Sequence, residues 1–172
     1  MNNLRPNPVG IDKPIDRVQK RLYKHLSGLG LINGYARVYE NNKDGKNVLE
    51  VYNGKNEYLN VFGQEDSKFF FVAEKRKTYS DAPNVRVDIV FMLNLNDFYP
   101  NEELLRKDEE IKEEVMKVLY RKPFKPTTEI SGTDFLNTML QGYIEGRNIK
   151  DMHPYHVFAV QGTMTFNHKN CS

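Results

Sequence analysis

Between residues 85 and 95 the chain reads Val-Arg-Val-Asp-Ile-Val-Phe-Met-Leu-Asn-Leu. Val85, Val87, Ile89, Phe91 and Leu93 alternate with Arg86, Asp88, Val90 and Met92. A period of two over that length marks a β-strand, because an amphipathic helix repeats its apolar residues every three to four. One face of the strand is apolar throughout. The other starts charged and turns apolar, which predicts a central strand covered on both faces at its far end. A fold built around it needs a layer on each side.

The neighbouring patterns supply those layers. Lys68–Ala73 (Lys-Phe-Phe-Phe-Val-Ala) predicts a second strand, and Tyr35–Tyr39, Val48–Tyr52 and Tyr58–Phe62 predict three short ones. Asn41 to Gly45 and Asn53-Gly54 are turn chemistry between them. Pro154–Phe166 predicts the last strand. Ile15, Val18, Leu22, Leu26 and Leu29 recur at helical spacing after Pro14, and Gly28 and Gly30 mark the end of that helix. Its off-stripe residues Arg17, Lys20, Arg21 and Lys24 make a basic face. A second helix is predicted from about Glu102 to Tyr120, with Leu104, Ile111, Val115, Val118 and Leu119 inward. Glu103–Lys107, Asp108–Lys112 and Glu113–Lys117 stand as i,i+4 pairs on it, and Lys117, Arg121 and Lys122 suit its C-terminal dipole. Thr133 or Asp134 caps an expected short helix to Tyr143 that buries Phe135, Leu136, Met139 and Leu140. Pro123 and Pro126 bound an expected linker inside a polar connection from Arg121 to Gly132.

The order is helix, several strands, helix, short helix, strand. It predicts an α+β fold, an antiparallel or mixed β-sheet with the helices packed mainly on one face. With 172 residues, 39% of them hydrophobic, the chain reads as one domain, 1–172, with an extended N-terminal arm over 1–13 and a C-terminal tail over 167–172. The arm and tail are expected to need neighbouring subunits for their order.

Composition narrows function by exclusion. The longest apolar run, Ile89 to Leu93, falls far short of the roughly 20 residues of a spanning helix, so no membrane partner is expected. The opening Met-Asn-Asn-Leu-Arg-Pro lacks the apolar core of a signal peptide, which makes Asn170-Cys-Ser a chance match to the glycosylation pattern. Lys and Arg (25) nearly balance Asp and Glu (23), so bulk charge does not mark a nucleic-acid binder. One cysteine fits a reducing compartment. The sequence holds no phosphate-cradling glycine loop, nucleophile elbow or HExxH pair, and no cofactor is expected.

Four weaker constellations remain. His153, His156, His168 and Cys171 have zinc-competent side chains. A strand between residues 156 and 168 would hold the two pairs about 40 Å apart, and only a sharp reversal at Gly162 would join them, so no metal is expected. Asp88 sits in an otherwise apolar run and could be a shifted-pKa acid, but an ion pair with Arg86 on the same face, or with a helix base, is the commoner arrangement. The acidic second helix could supply paired carboxylates, although its interleaved bases point to a solvated or interface face. The basic first-helix face could touch DNA, in which case affinity would fall steeply with salt. An accessory enzyme using Asp88 with His153 or His156, and a DNA-binding module, are the two alternatives to an assembly role.

Several phrases resemble the small neck and tail-completion proteins of tailed bacteriophages, the tail terminators and head–tail connector rings. Ile15-Asp-Arg-Val-Gln-Lys-Arg-Leu-Tyr23 looks like the opening helix of that family, and Glu50-Val-Tyr52 with Glu57-Tyr58 like its hairpin. Phe69-Phe-Phe-Val72 and Val87 to Leu95 look like its paired central strands. Tyr99-Pro100 leads into Asp108-Glu-Glu110, and His153-Pro-Tyr155 with Phe158 resembles the start of its closing strand. The likeness covers roughly residues 11–168.

The resemblance implies a tail-terminator-like fold and a structural, non-enzymatic virion protein, assembled in the bacterial host cytoplasm. It implies a closed homo-oligomeric ring, six-fold or twelve-fold, joined to other neck, portal or tail proteins, with DNA passing through its channel without sequence-specific binding. Such closure needs a heterologous interface, one patch docking onto a different patch of the next copy. Exposure and position point to Asn7, Ile11, Arg17, Lys24, Tyr52, Tyr58, His168 and Cys171 as subunit contacts. The excess of seven acids over three bases in residues 102–114 points to Glu102, Glu103, Glu109, Glu110 and Glu113 as channel-facing, repelling phosphates so that DNA slides.

Overall fold

The structure is a computed structural model, and it describes residues 1–54, 57–62, 66–74, 84–100, 107–132, 143 and 151–165. Two α-helices, one short 3-10 helix (Leu95–Asp97) and nine strands are described: β1 (Asn2–Asn3), α1 (Asp12–Leu26), β2 (Asn33–Arg37), β3 (Tyr39–Lys43), β4 (Lys46–Tyr52), β5 (Tyr58–Asn60), β6 (Lys68–Ala73), β7 (Asn84–Asn94), α2 (Lys107–Leu119), β8 (Phe124–Ser131) and β9 (Tyr155–Thr165). The fold is α+β. A six-stranded mixed sheet runs β1-β2-β6-β7-β9-β8, and a three-stranded antiparallel sheet runs β3-β4-β5.

Alternation along β6, β7 and β9 sorts the core into two clusters, because successive strand residues point to opposite faces. Phe69, Phe71, Val87, Ile89, Phe91, Leu93, Phe158 and Val160 face one way. There they meet Ile15, Val18, Leu22 and Leu26 of α1, and Ile111, Val115, Val118 and Leu119 of α2. Phe70, Val90, Val157 and Ala159 face the other way, onto Leu49 and Val51 of the small sheet. The layers are therefore helices, large sheet, small sheet, with β7 paired on both sides as its sequence requires.

Several sequence expectations are corrected. Segment 1–13 is not a free arm: Asn2 and Asn3 pair in parallel with Gly34 and Tyr35, and α1 begins at Asp12. Buried Gln19 fixes this edge by donating to Asn2 Oδ1, Asn3 O and Gly34 O, each at 3.1 Å. This part of the arm is ordered by its own chain. Leu29 lies past the end of α1 and is 41% exposed, because the helix closes at Leu26 and the chain turns through Ser27 to Gly30.

The linker expected around Pro123 and Pro126 is instead β8, an edge strand whose register shifts between Pro126 and Thr128. A bulge on a sheet edge is where a strand tolerates proline. Among the described residues the ion pairs within α2 are i,i+3, and the expected Asp108–Lys112 and Glu113–Lys117 pairs do not form. Lys107 meets Glu110 at 2.9 Å, Lys112 meets Glu109 at 3.0 Å, and Lys117 meets Glu114. Lys112 is drawn toward the sheet, where Glu129 of β8 also meets it at 3.1 Å, and Glu114 turns toward His25 of α1 at 2.7 Å. The start of the second helix with Glu102, Glu103, Leu104 and the Glu103–Lys107 pair, the short helix before Tyr143, and the tail lie outside the described residues.

Candidate functional site

The candidate contact residues scatter over the surface. Asn7, Arg17, Lys24 and Tyr58 are exposed, Ile11 is half-buried and Tyr52 is buried; His168 and Cys171 lie outside the described residues. Tyr52 and Tyr58 are brought together all the same, as edge-on rings 5.9 Å apart, with Tyr58 also edge-on to Tyr39 at 5.6 Å. The Arg5 and Arg37 guanidinium groups lie over the Tyr39 ring, and both converge on the buried Asp12, at 2.5 and 2.8 Å. This cluster ties the N-terminal segment, α1 and β2 to the base of the β3–β4 hairpin.

From that base the hairpin projects. Its pairing runs from Tyr39 with Glu50 to Lys43 with Lys46, a reach of about 14 Å beyond the first pair. Asp44 (φ 53°) and Gly45 (φ 76°) both take the positive φ that a two-residue hairpin turn demands. Residues 41–47 are all exposed. Glu50 braces the arm from below. Its carboxyl is held below the usual carboxylate range by hydrogen bonds from Lys43 first and Asn41 second.

The helix layer is divided by charge. On α1, Arg17, Lys20 and Lys24 are exposed; on α2, Glu109, Glu110 and Glu113 are exposed. Lys20 is partnered by Asp16 at 2.8 Å, and Arg21 donates to Arg121 O at 3.0 Å, so the basic face is sparser than its sequence implies. Beside the C-terminal end of α1 opens a cleft of about 490 Å³. Its walls are the segments 30–33, 66–67 and 94–97, stitched together by hydrogen bonds. Leu31 N donates to Asp97 O at 3.1 Å, Asn33 N to Ser67 O at 2.8 Å, and the Ser67 hydroxyl to Asp97 Oδ2 at 2.5 Å. Gly30 permits the closest approach, since a Cβ there would sit 2.7 Å from Phe98 Cα. Leu31 (77% exposed) and Met1 (67%) form an apolar rim above Asp66 and Asp97. No local pattern announces the cleft, because three separated turns build it.

β9 is continuous through Gly162, which pairs with Val87 on one side and Pro126 on the other, so no reversal occurs there. His156 is instead buried, its Nδ1 3.2 Å from Asp151 Oδ1 and its ring 5.2 Å from Phe158. Among the described residues, no group of three or more His, Cys, Asp or Glu side chains is placed to hold a metal. Asp88 and His156 do not share a site. Asp88 pairs with Gln161 and His156 with Leu93, about 16 Å apart along β9 and on opposite faces of the sheet.

Asp88 has the expected partner, Arg86 Nε, at 3.5 Å. Burial dominates and raises its carboxyl above the ordinary value, with Arg86 pulling the other way. A carboxyl with a higher pKa folded than unfolded weakens the fold where it is ionised, and the penalty fades as pH falls. Asp88→Asn is therefore expected to melt at higher temperature than the native chain at pH 7. The gain should vanish by about pH 3, where both folded and unfolded carboxyls are protonated. A thermal melt series over that range checks it, and an equal or lower melting temperature at pH 7 contradicts it.

No helix among the described residues is long and apolar enough to cross a membrane. No protein-family model, curated protein or solved structure matches this chain.

Proposed function

We propose that this chain is a structural protein of a tailed bacteriophage, one copy of a closed ring in the neck or at the end of the tail. The observation that carries the reading is the projecting β3–β4 hairpin, stiffened by its turn and braced at its base, with residues 41–47 turned to solvent. Leu49 and Val51 at the base belong to the core, but the polar tip, residues 41–47, adds little to it. The tip gains energy by gripping a neighbour, and in a ring every copy supplies one arm and receives another. The sequence phrases that resemble neck and tail-completion proteins give the context. The exposed acids Glu109, Glu110 and Glu113 on α2 give a channel wall that repels DNA phosphates.

Light scattering and negative-stain imaging of the purified chain test the reading. The expected result is a ring of six or twelve copies. Replacing residues 42–47 by a two-residue Asn-Gly turn closes the hairpin on the Asn41–Val48 pair; combined with Glu50→Gln, because the buried carboxyl loses Lys43, it should leave the melting temperature within a few degrees and abolish the ring. A native chain that stays monomeric at every concentration, or a shortened chain that still closes rings, contradicts the role given to the hairpin.

A further inference from the structure

A ring needs two different patches facing opposite ways, and the large sheet carries such a pair on its two sides. The cleft lies on the side of β2 and β6, between the turns that lead into them. The chain leaves α2 through Tyr120, Arg121 and Lys122 and enters β8, the opposite edge of the sheet. From β2 to β8 the strand spacing gives about 20 Å. Those three residues are exposed, Tyr120 at 73%, and form a corner with an aromatic face and two cations. Its backbone is already fixed: Tyr120 N donates to Met116 O at 3.1 Å, and Arg121 O accepts from Arg21.

The cleft has the complementary chemistry. Leu31 and Met1 offer an exposed apolar rim against which an aromatic ring can pack. Below it, Asp66 already meets Lys68 at 3.4 Å and Asn33, whereas Asp97 is met by the neutral hydroxyl of Ser67. Asp97 is thus the carboxylate suited to an incoming guanidinium, and the walls around it are already in place. We propose that the Tyr120-Arg121-Lys122 corner of one copy seats in the cleft of the next, with Tyr120 over Leu31 and Arg121 on Asp97. This rests on the ring reading and names the contact that closes it, beside the one made by the hairpin.

A charge swap tests the contact separately from the ring. Asp97→Lys and Arg121→Asp each set like charges against each other in every contact of a homogeneous ring. Mixed in equal amounts the two variants can alternate. The introduced lysine of one then meets the introduced aspartate of the other, and at the next contact the native Asp97 meets the native Arg121. Each folded variant alone is expected to lose at least nine-tenths of the ring by light scattering, and the mixture to restore it. Leu31→Lys replaces Asp97→Lys if the latter melts early, since Leu31 is a rim residue that the fold does not bury. Rings from either variant alone, or a mixture of folded variants that stays monomeric, overturn the contact and leave the ring standing if the native chain forms it. A native chain that forms no ring overturns both.

Discussion

Phe91→Ala is expected to remove a large share of the chain's stability. Phe91 lies in the middle of β7, with a side chain that no solvent reaches. Its ring stacks on Phe158 of β9 at 4.7 Å with 10° between the planes, and meets Phe69 of β6 at 5.9 Å. The three rings therefore run across three adjacent strands beneath the helices. Truncation removes the buried ring, leaves a cavity and takes away both aromatic contacts, at a cost of about 3–5 kcal/mol. A domain has about 5–15 kcal/mol in all, so that is a large fraction of the total. At this chain length the melting point should fall by roughly 6–20 °C. Met152→Ala is the control. It removes a large apolar side chain that is 59% exposed, and should shift stability by no more than about 0.5 kcal/mol. Urea titration of both variants decides it. A Phe91→Ala midpoint within error of the Met152→Ala midpoint would mean that the three-ring core is not what holds the large sheet together.

The parts of the fold that are legible in the sequence are those where a local pattern and the final environment agree. β6, β7 and β9 alternate or run apolar because they lie inside the sheet with a layer on either face. α1 and α2 show their stripes because one side of each rests on those strands. β8 is hidden because an edge strand needs few apolar residues. Lys-Pro-Thr-Thr-Glu (residues 125–129) reads as a loop until the bulge at Pro126 is seen to spare the sheet its missing N–H. β1 is hidden for a different reason. Two asparagines carry no pattern, and their strand exists only because β2, some thirty residues on, and the Gln19 amide are there to receive them. Tyr52 reads as a surface aromatic and is not one. Alternation assigns it to the outward side of β4, but Tyr58 lies across it. The same limit applies to the sites. The hairpin tip and the charged helix faces follow from local residue choice and are visible. The cleft depends on three turns meeting, and only its glycine hints at that.

Gly162 shows how one residue type supports opposite readings, and the second large effect is expected there. A glycine inside a strand signals either a break in the chain's direction or a close approach by something else. In β9 it is the second. The residue pairs on both sides, and on its helix-facing side the Phe124 ring occupies the space a side chain would need. A Cβ at this position would sit 2.6 Å from Phe124 Cε2 and 2.5 Å from Lys125 O. The ring can move, but the carbonyl belongs to the backbone of β8 and moves only if that strand separates from β9. Gly162→Ala is therefore expected to cost at least the 1–3 kcal/mol typical of overpacking a core, despite the better strand propensity of alanine. The two clashes can be separated by a double-mutant cycle. In a Phe124→Leu background the substitution should cost less, by the share due to the ring, while the share due to Lys125 O persists. Because that remainder acts on β8, hydrogen exchange at 125–130 should quicken in Gly162→Ala more than exchange at 87–91. Full relief in the Phe124→Leu background would show that only the ring holds the position to glycine. No loss in Gly162→Ala itself would show that β8 does not lie this close to β9.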